Sequence, residues 1–231
     1  MAKTPATIGR GTKIFVAPTQ GDRVWPEETV ITVGTAPSAA ATSITVTISP
    51  SLTANIFASA GRPVYLNFIQ TNGKSHFVEV TAPITPTSTT LTVKALKEAI
   101  TVDAIAVFPL LLANRENANL TDDKKESDIN VFDNDGYKDS LTAELSKGLT
   151  LPGFYSQLDA GWNTCFDAAN SLDYDEIYVK LELVKPKGYT KGRIFEFFSS
   201  VKMPFDVPAT DIIKTEISLM SRGEIKITKP V

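Results

Sequence analysis

Ile177-Tyr178-Val179-Lys180-Leu181-Glu182-Leu183, the turn Pro186-Lys187-Gly188, and then Ile194-Phe195-Glu196-Phe197-Phe198 decide how this chain is built. In the first run apolar Ile177, Val179, Leu181 and Leu183 alternate with Tyr178, Lys180 and Glu182, the period of a strand with one face inward. The turn separates it from a second strand spanning Gly192 to Met203, which carries Ile194, Phe195, Phe197, Phe198 and Val201 and ends at Pro204. Ile213, Thr215, Ile217 and Leu219 alternate with Lys214, Glu216 and Ser218 in a third, and Gly223 leads into a tail strand, Glu224-Ile225-Lys226-Ile227. Consecutive strands joined by turns form antiparallel sheets.

One helix precedes them. Phe154, Leu158, Trp162, Cys165, Phe166 and Ala169 recur at three- and four-residue intervals, with Gln157, Asp159, Asn163 and Asp167 on the opposite face, predicting a helix packed on the sheet. Further upstream, Ser140 to Leu145 alternates, and Lys147-Gly148 reads as a turn into Leu149-Thr150-Leu151. Asn114 to Asp139 is long, polar and acidic and reads as a projecting arm without regular structure. Ile105 to Leu112 reads as one buried strand, and Gly11 to Pro18 as a short strand closed by a proline.

From about Val30 to Ala104 the chain turns rich in Thr, Ser, Ala and Pro and poor in charge, in short alternating runs such as Ser43 to Ile48 and Thr90 to Val93. Thr35-Ala36-Pro37 before the first run is echoed by Thr81-Ala82-Pro83 before the second, the pattern of a duplication or of chance in Thr-rich sequence. The predicted fold is mainly β within the α+β class: an antiparallel β-sandwich with one packed α-helix, residues 1–29 and 105–231, carrying an inserted small all-β domain, residues 30–104.

The chain has 231 residues, a net charge of −3, one cysteine and one histidine. A lone Cys165 excludes an internal disulfide, and a lone His76 leaves no partner for the common zinc or triad geometries. The acidic balance argues against a general phosphate-binding surface. No apolar run reaches the length of a membrane span, and the first residues lack the apolar run of a signal peptide. Gly9-Arg10-Gly11 fails the dinucleotide fingerprint because Ile14 stands where the next glycine belongs, and Asp133-Asn134-Asp135-Gly136 fits a turn better than a calcium loop. Cys165 reads as a buried small hydrophobe and His76 as a solvated hairpin residue. No catalytic residue, metal ligand or cofactor is expected, and the chain does not read as an enzyme.

Two charged features remain. The arm carries Glu116, Asp122, Asp123, Glu126 and Asp128, and the β-turn region carries Lys185, Lys187, Lys191 and Arg193. Their opposite signs make them candidates for contact between copies of the chain.

The order of elements over about the last ninety residues resembles the major tail tube proteins of long-tailed bacteriophages. The residues that carry the resemblance are a helix (157–169), a strand (176–184), a Pro/Gly turn (185–190), a strand ending near a proline (193–203), Pro204 to Asp211 entering the last long strand (212–220), and Gly223 before a tail strand ending at Thr228. By the same resemblance Thr12 to Ala17 is a strand that pairs with the sandwich, and Asn114 to Asp139 is a loop that reaches the next ring. The resemblance implies a structural virion protein, assembled in the host cytoplasm, whose copies form hexameric rings stacked into a tube that conducts DNA during ejection. The partners it implies are other copies of the chain, terminator, tape measure and distal tail proteins, and genomic DNA only in passage, with no membrane. Two alternatives stand beside it. One is a surface- or carbohydrate-binding β module on a β-sandwich carrier, with Trp25, Tyr65 and Phe77 as stacking residues; the other is the tube protein of a contractile injection system.

Overall fold

The computed structural model of the chain describes residues 12–19, 23–52, 56, 63–129, 139–206 and 213–231. In chain order the elements are β1 (Lys13–Pro18), β2 (Thr29–Val33), β3 (Ser43–Ser49), β4 (Val64–Ile69), β5 (Ser75–Val80), β6 (Thr90–Thr92), β7 (Ile105–Phe108) and β8 (Leu110–Leu111). They continue with β9 (Asn119–Ile129), β10 (Asp139–Phe154), α1 (Ala160–Ala169), β11 (Glu176–Glu182), β12 (Ile194–Lys202), β13 (Phe205–Asp206) and β14 (Lys214–Thr228). The fold is mainly β, two antiparallel sheets with one helix, as the alternation predicts.

The larger sheet has eight strands in the order β8-β1-β11-β12-β14-β10-β9, with β13 pairing β14 beside this path. One face is apolar: Ile177, Val179 and Leu181 lie beside Phe195 and Phe197, and the face continues through Leu219, Ile217, Leu149 and Leu151, all buried. Helix α1 covers it. Trp162 is 2% exposed, meets Tyr155 edge-on at 4.8 Å, stacks on Phe166 at 5.1 Å, and its Nε1 donates to Thr215 Oγ1 at 3.5 Å.

The helix starts at Ala160, later than Phe154, where the apolar spacing begins, and later than 157, where the resemblance starts it. Buried Asp159 is its N-cap, accepting from Gly161 N at 2.9 Å and Trp162 N at 3.3 Å, and it also takes the Ala113 N–H at 3.0 Å. Burial pushes its carboxyl above the ordinary range, and these three N–H groups and the charge of Arg115 oppose that. Phe154 belongs to β10, and Leu158 lies outside the helix, 63% exposed. Gly161 lets the helix approach β8, since a Cβ there would lie 3.0 Å from Leu111 O.

Tyr178 and Lys180, placed by alternation on the outward face of β11, are 1% and 6% exposed. The reason is a strap, residues 23–28, that crosses this opposite face. Arg23 holds Glu176 through two hydrogen bonds (3.0 and 3.2 Å) and lies over the Phe198 ring at 5.9 Å. Trp25 packs on Phe198 at 4.9 Å and on Tyr178 at 6.0 Å, under Lys226 at 5.8 Å. Glu28 then pairs with Lys180, whose ammonium also lies over the Phe15 ring at 5.4 Å.

The hydrogen bond from Lys180 holds the Glu28 carboxyl below its ordinary 4.5. A depressed carboxyl stabilises the folded state fully above its free value and loses that contribution as pH falls through the folded one. Acid titration is therefore expected to release the strap below about pH 4.5, read as a change in Trp25 emission. Glu28→Gln should lack this step, and an identical step in that variant would remove the assignment.

The second sheet has six strands in the order β5-β4-β7-β2-β3-β6. Its two ends meet: Val80 bridges Val93, with Thr81 N donating to Thr92 O and Lys94 N to Glu79 O, both at 2.9 Å. The sheet thus curls into a small barrel, loosest between β4 and β7, which share one register pair, Ile69 with Ile105. Ile31, Val33, Ile44, Val46, Val64, Leu66, Phe68, Val78, Val80 and Leu91 fill it. The two echoed runs sit side by side, Ile44 opposite Leu91. Outward Tyr65 and Asn67 of β4 tie the barrel to the helix region: Tyr65 Oη donates to Asp167 Oδ2 at 2.7 Å and Asn67 Nδ2 to Leu158 O at 3.2 Å.

Three local expectations change. The single strand read over 105–112 is divided at Pro109, with β7 in the barrel and β8 in the larger sheet, because proline cannot donate to a ladder. No turn opens at Lys147-Gly148, for β10 runs through it; the Lys147 stem is buried with its ammonium 5.5 Å from the Phe195 ring centroid. A Cβ on Gly148 would stand 2.6 Å from Thr121 Oγ1, so this glycine serves strand packing. The last two strands are one, β14, in which Gly223 (φ +81°) sits at a bulge where the register with β12 jumps from Ile225 to Arg222.

Candidate functional site

The acidic arm is not irregular: over 119–129 it is strand β9, paired with β10 from Asn119 opposite Thr150 to Ile129 opposite Asp139. Strand β14 accompanies β10 only as far as Gly148 opposite Met220. Beyond that point residues 122–129 and 139–147 form a two-stranded ribbon with no third strand among the described residues. The ribbon also makes β9 an eleven-residue terminal strand of the sheet, while the other terminal strand, β8, has two residues.

Sheet edges in a monomer are a pairing hazard that charged side chains suppress. Strand β9 is charged in this way, since Asp122, Asp123, Lys124, Lys125, Glu126 and Asp128 are six of its eleven residues. A charged edge admits only a complementary partner.

The structure spreads the predicted acidic contact residues apart. Exposed Glu116 lies at the base of the ribbon, its N–H bonded to Pro152 O at 2.9 Å. Asp122 is engaged by the buried Lys147 opposite it. Asp123, Glu126 and Asp128 follow along β9. Arg115, which the sequence places in the charged arm, points inward instead, with bonds to Thr215 Oγ1 (3.3 Å), Ala113 O (3.3 Å) and Phe154 O. Desolvation lowers its pKa, with Asp159 opposing.

Lys185, Lys187, Lys191 and Arg193 are all exposed in the β11–β12 connection, which holds no acidic residue. None of them makes an ion pair among the described residues. The connection is fixed by its backbone. Tyr189 N bonds Pro186 O at 3.1 Å around Gly188 (φ +89°), and Leu183 N bonds Arg193 O at 2.9 Å. Val231 O accepts from Thr190 N (2.6 Å), Lys191 N (2.9 Å) and Thr190 Oγ1 (2.8 Å). At its exit a Cβ on Gly192 would lie 1.9 Å from Leu183 O, so only glycine fits. Four cations without an ion pair among the described residues stand on this turn, with Lys191 near enough to Glu28 to help lower its carboxyl.

The remaining candidates resolve as follows. Cys165 is fully buried, and burial raises its thiol far above the usual range, as for an inert core cysteine. His76 is not solvated: it is 8% exposed and its Nε2 lies 2.7 Å from Gln70 Nε2. The three aromatics proposed for sugar stacking are engaged internally, Trp25 on the larger sheet and Tyr65 stacked on Phe77 at 5.4 Å beside the helix. Gly9-Arg10-Gly11 and Asp133 to Gly136 lie outside the described residues. Among the described residues no group of three His, Cys, Asp or Glu could hold a metal, and no helix is long and apolar enough to cross a membrane.

No family model matches the chain, and no curated protein matches it. Among solved structures its fold is similar to a chain in the virion of a native gene transfer agent particle, at 11% identity and a TM-score of 0.39, over 50% of this chain and 85% of that one. It is similar, with the same identity and TM-score, to a chain in the tail of an empty gene transfer agent particle with C6 symmetry, over 50% of this chain and 83% of that one.

Proposed function

We propose that this chain is a structural tail protein, a tube subunit whose copies join through the larger sheet into rings and stack into a conduit for DNA. The observation that carries the reading is the ribbon of residues 122–129 and 139–147, which leaves the sheet paired only with itself. An isolated two-stranded ribbon is marginally stable in water, so one that projects from a folded body is completed by another surface. The barrel's end strands meet each other, which leaves the long open edge to the larger sheet. The resemblance of about the last ninety residues to phage tail tube proteins supports the same reading. A net charge of −3 suits a passage through which DNA slides without being held.

In this reading residues 1–29 and 105–231 assemble and the unit inserted at 30–104, completed by β7, decorates the outside. Glu116, Asp122, Asp123, Glu126 and Asp128 on one side and Lys185, Lys187, Lys191 and Arg193 on the other are contact residues between copies. The subunit performs no chemistry and takes no cofactor. Its other partners are the proteins that initiate and end a tail.

Negative-stain electron microscopy of the purified chain across concentration and salt tests this. Hollow rings and stacked tubes are expected, favoured at low salt because exposed charges are screened above about 0.1 M. Monomers under every condition, with and without a tail initiation complex, would overturn it.

A further inference from the structure

The strand register fixes where the ribbon points relative to the basic turn. Strand β14 runs from Lys214, beside Phe154, to Thr228, beside Ile194 at the foot of the Lys185–Arg193 turn. Strand β10 is antiparallel to it, so its residues from Gly148 back to Asp139 travel the same way as Met220 to Thr228. At about 3.3 Å per residue the ribbon advances about 30 Å from Gly148, and β14 about 26 Å from Met220. The end of the ribbon and the basic turn therefore lie at the same end of the sheet.

With the strands taken to run along the stacking axis, this placement separates two ways of joining them. In a head-to-tail stack the basic turn of the next ring faces the wrong way, a full strand length from a ribbon that reaches across the ring boundary. In a side-by-side arrangement without stagger the β9 edge of one copy meets the β8-β1 edge of the next, and the two ends are level. There Lys13 begins β1, and the turn follows β11, the strand paired to β1. With strands about 4.8 Å apart, the turn is roughly three strand spacings from the incoming ribbon.

The charges are complementary. The described ribbon, 119–129 with 139–147, has six acidic and three basic residues, a net of −3, against four basic and no acidic residues over 183–193. We infer that the acidic ribbon faces the basic β11–β12 turn of the lateral neighbour in the same ring, across about 14 Å of sheet spanned by long charged side chains, and not the copy stacked beneath. The contact is heterologous and closes when the ring closes. It rests on the tube reading and revises the resemblance, which assigns the arm to the next ring.

Two variants test it: Lys185→Glu, Lys187→Glu, Lys191→Glu and Arg193→Glu together, and Asp123→Lys, Glu126→Lys and Asp128→Lys together. Asp122 is left to its partner Lys147. Each variant alone is expected to stay monomeric by native mass spectrometry, with ring formation reduced about tenfold or more, because like charges would face each other. An equimolar mixture is expected to restore rings in which the two alternate. A milder pair, Lys187→Glu with Asp128→Lys, serves if the triple reversal fails to fold by circular dichroism. Single variants that form rings but no tubes would place the contact between rings and overturn the inference, as would variants that assemble like the wild type. A wild-type chain that forms no rings would instead overturn the tube reading on which it rests.

Discussion

Replacing residues 123–146 by an Asn-Gly turn is expected to give a folded monomer that forms neither rings nor tubes. The cut joins Asp122 to Lys147, which already face each other in register, so their ion pair survives and a two-residue hairpin can close there. The melting temperature should move by a few degrees or less. The apolar core formed by Leu149, Leu151, Ile217 and Leu219 lies on the retained side of the cut. Light scattering and a thermal melt read both halves of the expectation. Loss of folding would make the ribbon part of the domain, and tubes of normal length would remove it from assembly.

Trp162→Ala is expected to act the other way, on the fold first. The indole is almost wholly buried between Tyr155 and Phe166 and reaches Thr215 on β14, so its removal opens a cavity between helix and sheet. Such truncations cost about 3–5 kcal/mol, a large share of the roughly 5–15 kcal/mol that holds a domain together. For a chain of this size the melt should fall by roughly 6–20 °C. A shift under about 2 °C would mean that the helix is not clamped to the sheet by this residue.

What could be read beforehand was whatever a local period encodes. Strands β11 and β12 were visible because Ile177, Val179 and Leu181 keep a strict alternation and Pro186 and Gly188 punctuate it. The strap was not, because Arg23, Trp25 and Glu28 are each more than 150 residues from Glu176, Phe198 and Lys180 respectively, and no local pattern links them. β9 is hidden by its own charges. Asp, Lys, Glu and Ser disfavour strands, and the charges that guard an edge look like a loop. The helix start was misjudged by the coincidental spacing of Phe154 and Leu158, although Asp159, a favoured cap residue, marked the true boundary. His76 carried a usable signal: it shares its parity with Val78 and Val80, and the period of two places all three inside the barrel. Of the contact candidates, the charges were legible, while the alignment of the ribbon with the basic turn required the register.

In the proposed tube the β9 edge is completed by another copy. Hydrogen–deuterium exchange on the backbone amides of residues 119–129, in monomers and in assembled material, tests it most directly. Slow exchange along this strand is expected only in the assembly, with the barrel strands unchanged. Equal exchange of β9 in both states would contradict it.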